Sequence, residues 1–114
     1  MLGRTKRLRH NKDFIRVFKH GKRHFHSGVL LSFRVNHEKC SRIGFIVGKK
    51  HSLLAVNRNR QRRILQSVMT ELYPQIKPGF DIIISYTNRD KVLTYKEAYE
   101  ILVTMLHDIS LLSN

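Results

Sequence analysis

Between Arg42 and Leu72 the apolar residues change their period without a break, and this change constrains the fold more than any other feature. Ile43-Gly44-Phe45-Ile46-Val47 is a continuous apolar run of strand length, rich in β-branched and aromatic types, which suits a strand buried in a sheet. Lys49 and Lys50 close it. From Leu54 onward, residues placed about 100° apart on a helical wheel gather Leu54, Ile64, Leu65, Val68, Met69 and Leu72 into one broad arc. That arc needs a core to face. Asn59, Arg60, Arg62, Arg63, Gln66 and Ser67 fall on the opposite side, with Arg58 at the arc's edge, so the predicted helix turns its guanidinium groups away from the core.

An arginine-rich helical face is ordinarily a solvated surface, but such a surface mixes in Glu at i,i+4 to offset repulsion. The segment from Lys49 to Arg63 holds six cations and no carboxylate. Like charges packed this way destabilise a lone helix, so an anionic partner is expected to repay them. The planar fork of arginine suits phosphate oxygens and the edges of exposed bases. The whole chain agrees: 22 Lys and Arg against 8 Asp and Glu give +14. Met1 to Arg63 holds 18 of those cations against Asp13 and Glu38, while the remainder is slightly acidic, so the first half is expected to build a polyanion-binding surface. An acidic membrane would also attract such a surface, but no apolar stretch reaches spanning length and the N-terminus lacks the pattern of a secretory signal. With Cys40 as the only cysteine, no internal disulfide forms, and a reducing cytoplasm is the expected setting.

At 114 residues the chain is read as one RNA-binding domain, 1–114, with 1–10 a flexible basic arm. Asn11 as N-cap, Asp13 in the first turn and Gly21 leaving with positive φ predict a helix over Lys12 to His20. Phe14 and Phe18 share a face of that helix at i,i+4. Two roles fit them, packing in the core or lining a cleft in which unpaired bases stack. Lys22 to Ser27 reads as a loop or edge strand near RNA, and His24-x-His26, with no cysteine nearby, makes a poor metal pair. Val29 to Val35 alternates as a strand, and Arg42 to Lys50 is expected to pair with it as an antiparallel hairpin. The basic helix should end near Tyr73-Pro74, Lys77-Pro78-Gly79 marks a turn, and Phe80 to Tyr86 forms another strand. Thr94 and Glu97 make a capping box for a last helix whose stripe of Tyr95, Ala98, Tyr99, Leu102, Met105, Leu106 and Ile109 reads as core. The fold class is therefore α/β (α+β), a two-layer sandwich in the order helix, two or three strands, helix, strand, helix.

A strand closed by Lys49-Lys50, followed by a helix opening on Arg58-Asn59-Arg60 and extended by Arg62-Arg63, resembles the signature of the bacterial ribonuclease P protein component. Asn11-Lys12-Asp13-Phe14 and Val17-Phe18-Lys19-His20-Gly21 resemble that family's first helix, and the likeness runs from about Arg7 to the last helix. Gly48 stands where the family usually has Ser, the loop from His51 to Ala55 is one residue longer, and Gln66 replaces an expected Arg. The resemblance implies a mixed sheet with a left-handed β-α-β crossover. It implies a protein subunit that binds a catalytic RNA subunit through Lys49, Lys50, Arg58, Asn59, Arg60, Arg62 and Arg63. It further implies a cleft, formed by Phe14, Phe18, Ser32 and Lys49, that takes the 5′ leader of precursor tRNA and so raises substrate affinity and metal-ion use. Ser32 stands where the family often has a strand Tyr. Mg2+ would be used by the RNA subunit, without a protein ligand site or a protein catalytic residue. The carboxylates Asp13, Glu38, Glu71, Asp81, Asp90, Glu97, Glu100 and Asp108 are scattered, which agrees with a non-catalytic protein. Two alternatives remain at this point: a structural RNA-binding protein of ribosomal type, and an autonomous nuclease using histidine as acid and base.

Overall fold

The computed structural model describes residues 2–89 and 91–113; Met1, Asp90 and Asn114, and with them one of the eight carboxylates named above, lie outside the described residues. The elements are α1 (Asn11–His20), β1 (Lys22–His26), β2 (Val29–Val35), β3 (Arg42–Ile46), α2 (Ala55–Leu72), β4 (Phe80–Tyr86) and α3 (Tyr95–Asp108). Three helices and one mixed four-stranded sheet make the α+β architecture expected from the sequence.

The sheet order is β1-β2-β4-β3. β2 runs antiparallel to β1 and to β4, and β3 runs parallel to β4. The hairpin expected between β2 and β3 is therefore absent: β4 lies between them, and the tight hairpin is β1–β2, turned at Ser27 (φ 50°) and Gly28 (φ 84°). The cause lies in composition. Ile82-Ile83-Ile84 puts β-branched apolar side chains on both faces of β4, in which every residue after Phe80 is buried, and a strand buried on both faces is favoured at the centre. β3 and β4 become parallel neighbours joined through α2.

Alternation along the strands divides the sheet into two faces. Val29, Leu31, Ile43, Ile82, Ile84 and Tyr86 face α2 and α3 and form the main core with Leu65, Val68, Met69, Leu72, Leu102 and Met105. Phe33 packs on this side too, as alternation requires. The opposite face carries α1, where Val17 and Ile83 form a second cluster with Leu8 of the N-terminal segment, flanked by Phe14 and Phe18.

Several local expectations change. His10, not Asn11, is the N-cap of α1, and it makes no side-chain cap hydrogen bond. Gly21 has φ −88°, so positive φ is not its reason; a Cβ there would lie 2.5 Å from Val17 O and 2.6 Å from Phe33 O, and the close approach of helix end to strand demands glycine. Leu54 is 61% exposed and precedes α2, whose buried face starts only at Gln61. Tyr95 turns outward and donates its hydroxyl to Glu71 Oε1 at 2.6 Å. Of the segment expected as a flexible arm, residues 6–8 are docked: Leu8 is buried, its N–H donates to Ile43 O at 3.0 Å, and the Lys6 ammonium lies 4.9 Å from the Tyr73 ring centroid. Two leucines cannot fold ten residues alone, but the open edge of β3 gives their backbone a partner. The capping box of α3 forms as read, with Thr94 Oγ1 accepting from Glu97 N–H and Glu97 accepting from Thr94 N–H.

Candidate nucleic-acid interface

Strand register defines what lies beneath and beside α1. One row, Arg34, Asp81 and Arg42, meets the first turn of the helix. Arg42 donates to both oxygens of Asp81, at 2.8 and 2.7 Å, and its other Nη lies 3.5 Å from Asp13, which Arg16 also approaches at 3.5 Å. Asp13 and Asp81 are both buried, and the hydrogen bond to Asp81 is the main reason the Arg42 guanidinium is held above its usual pKa. The next row is Arg23, Ser32, Ile83 and Gly44. It runs under the helix: Phe14 reaches Gly44, Val17 packs on Ile83, and Arg23 donates to Phe18 O at 3.3 Å.

The third row, Phe25, Leu30, Ser85 and Ile46, lies outside the helix. Phe25, 64% exposed, and Ile46, 38% exposed, open the two ends of this row as a shelf beside half-buried Phe14 and Phe18, with half-buried Leu30 and buried Ser85 between them and exposed Lys49 three residues past Ile46. Ser32 is not part of that shelf. It is fully buried under α1, with an unpartnered Oγ, because its row is the one the helix covers. Phe25 and Ile46 are not singled out by the sequence reading. The available signal is the two-residue spacing of Phe25 from Arg23 within a strand, obscured when that stretch is taken only as polar.

On α2 the basic residues divide into two sets. Asn59, Arg60 and Arg63 are exposed on the outer face, and Lys49 and Lys50 stand in an exposed turn closed by His51 N–H donating to Gly48 O at 3.0 Å. Arg58 and Arg62 are half-buried and turned back onto the protein. Arg58 Nη1 donates to Ser52 O at 2.9 Å and Leu53 O at 3.0 Å. Arg62 donates to Val47 O and to Asn59 Oδ1, each at 3.1 Å. A helical wheel assigns a residue to a side but says nothing of carbonyls beyond the helix, and those draw both guanidiniums inward. Arg62, Arg7 and Arg9 also line a hollow of about 200 Å3 with Phe14, Phe45 and Gln66, which makes the basic surface continuous from the N-terminal segment to α2. Gln61, read as neither core nor site, is buried and accepts from Leu93 N–H at 2.7 Å.

The carboxylates are dispersed over separate tasks. Besides Asp13 and Asp81, Glu97 caps α3 and is held below the usual carboxylate range chiefly by the Thr94 N–H, and Asp108 lies 3.4 Å from His24. Among the described residues no three His, Cys, Asp or Glu side chains stand together as metal ligands.

Comparison with known proteins matches this arrangement to one family. The Ribonuclease P family model matches residues 2–110. The chain is 43% identical to the ribonuclease P protein component of Synechocystis sp. over 73% of its own length and 68% of that protein's. It is 35% identical to that of Oceanobacillus iheyensis over 95% and 89% of the two chains. The RNase P protein of Thermotoga maritima superposes with a TM-score of 0.78 at 29% identity, covering 90% of this chain and 96% of that one. The Staphylococcus aureus RNase P protein, at 24% identity and 94% and 97% coverage, shares the fold with a TM-score of 0.83. The docked N-terminal segment, the α1 shelf and the arginine face of α2 thus belong to a chain that is a member of the ribonuclease P protein component family.

Proposed function

We propose that the outer face of α2 and the Lys49-Lys50 turn dock on the RNA subunit of ribonuclease P, while the shelf beside α1 holds the 5′ leader of precursor tRNA. The chain is a subunit of ribonuclease P, an endoribonuclease acting on precursor tRNA, and partnership with its RNA subunit follows from that membership. The observation that carries the division of labour is that one small domain presents two chemically different surfaces that adjoin at Lys49. One is a cationic face, Arg60 and Arg63 with Lys49 and Lys50, in a stretch without a carboxylate from Lys39 to Thr70; the other is the shelf of exposed Phe25 and Ile46 beside two half-buried phenylalanines.

Guanidinium groups on the first surface neutralise phosphates and release counterions, which gives affinity without reading sequence. On the second, unpaired leader bases stack on Phe14, Phe18 and Phe25, and Lys49 meets the strand's phosphates. Holding the leader fixes the register of the scissile phosphate, an orientation effect that needs no protein catalytic group. The carboxylates do not fit a protein-held Mg2+ site, because Asp13 and Asp81 are buried against Arg42; the ions are assigned to the RNA subunit. The free Cys40 suits a cytoplasmic place of action.

Precursor tRNA cleavage measured with protein alone, RNA subunit alone and both tests the reading. The expected result is no cleavage by RNA-free protein at any magnesium concentration, and cleavage at lower magnesium with both components than with RNA alone. Specific 5′ cleavage by rigorously RNA-free protein, abolished by substituting one acidic residue, would overturn it.

A further inference from the structure

We infer that the tip preceding α2 is a second kind of RNA contact, an apolar anchor formed by Leu53, Leu54 and Val56 that takes unpaired bases of the RNA subunit. The inference rests on the RNA-docking reading above and adds to it a contact that is not electrostatic. These three side chains are 68%, 61% and 67% exposed, the largest concentration of exposed aliphatic surface on the described chain.

The exposure is built into the loop. His51 and Ser52, just before the tip, are fully buried, and His51 Nδ1 donates to Asn88 O at 2.7 Å. Ser52 Oγ accepts from Leu54 N–H at 3.1 Å, and Arg58 reaches back to hold the carbonyls of Ser52 and Leu53. The Leu54 carbonyl accepts from the N–H groups of Asn57 and Arg58, at 3.1 and 3.2 Å, which starts the helix there. With the backbone fixed on both sides, the leucines have no inward path, and their apolar surface stays in water until a partner covers it.

The surroundings select the partner. Lys49, Lys50 and Arg60 are exposed around the tip, and the sequence holds no carboxylate between Glu38 and Glu71. A second copy of this chain would bring like charges together, whereas a polyanion with apolar faces complements both features. Unpaired nucleobases are such a partner: their phosphates meet the cations, and their ring faces cover the aliphatics. A continuous A-form duplex offers the phosphates but not the ring faces, since its bases are stacked and its major groove is closed to side chains. The contact is therefore to a loop, bulge or junction.

The experiment is a salt titration of binding by the full chain carrying Leu53→Ser with Leu54→Ser, against the RNA subunit, a perfect duplex RNA, and vesicles containing phosphatidylserine. Both positions are exposed, so the fold should survive, and Leu53→Met with Leu54→Met serves as the conservative control. The expected result is an affinity for the RNA subunit lower by about tenfold for each leucine whose buried apolar contact is lost. The slope against salt stays unchanged because every cation is retained. Duplex binding stays as it was, and the Met variant keeps the wild-type affinity. Unaltered affinity of the Ser variant for the RNA subunit would overturn the inference, while the response of Arg60→Ala with Arg63→Ala would still report on the docking reading by itself. An equal loss on duplex RNA, or vesicle binding or self-association abolished by the Ser substitutions with RNA affinity intact, would also overturn it.

Discussion

The tip of the Phe14 ring rests on the backbone of Gly44, so closely that a Cβ at Gly44 would stand 2.6 Å from Phe14 Cζ. One edge of the ring is thereby packed on β3 while the residue as a whole is only half-buried. Phe14 is therefore neither purely core nor purely surface: the contact with Gly44 sets the angle at which the ring borders the shelf.

Gly44→Ala should displace that ring. Overpacking costs about 1–3 kcal/mol, and denaturant unfolding should register it. Adding Phe14→Leu, which withdraws the atoms that clash, should recover part of the loss, so the double-mutant cycle should be strongly non-additive. Additive losses would mean that the two residues do not meet in this way.

The Arg42, Asp81 and Asp13 network should be a stability element, not a binding one. Removing one member leaves a buried charge without its partner, so Arg42→Ala should cost about 3–5 kcal/mol, read from thermal or urea unfolding. Intrinsic affinity for the RNA subunit, measured where the variant is folded, should change little. A variant with wild-type stability and weakened RNA affinity would move Arg42 from the scaffold to the interface.

Arg60→Ala with Arg63→Ala should weaken binding to the RNA subunit and flatten the salt dependence by about one unit of slope for each phosphate no longer neutralised. Stability should hold, since both side chains lie on the exposed side of α2. Arg62→Ala should behave differently, because its bond to Val47 O ties α2 to the end of β3; it should lower stability as well as affinity. Unchanged affinity and slope in the double variant would refute the assignment of this face.

Much of the fold is legible because period and charge are local. The change from strand to helix after Val47, the capping box at Thr94 and Glu97, and the separation of Arg60 and Arg63 from Leu65, Val68 and Met69 all follow from residue spacing. What escapes is set by non-local partners. β4 enters between β2 and β3 because a triple-isoleucine strand gains most when covered on both faces, which no property of β2 or β3 alone announces. Arg58 and Arg62 lie near the expected helical side, yet carbonyls at Ser52, Leu53 and Val47 take their donors. Ser32 lies beneath α1 and Phe25 in the open for one reason, the position of the helix across the sheet, and that position is fixed by Asp13 with Arg42 and by Phe14 with Gly44.

The most direct test of the leader shelf is a paired titration of the reconstituted enzyme with precursor tRNA carrying a leader and with mature tRNA, using Phe14→Ala and Phe18→Ala alongside wild type and following melting curves. The account predicts a selective loss for the leader-bearing RNA, of the order of 1–3 kcal/mol per base unstacked, that disappears when the leader is removed. Equal losses on the two RNAs, together with a melting temperature lowered by a core-sized cavity, would assign both rings to packing and contradict the shelf as the leader's binding surface.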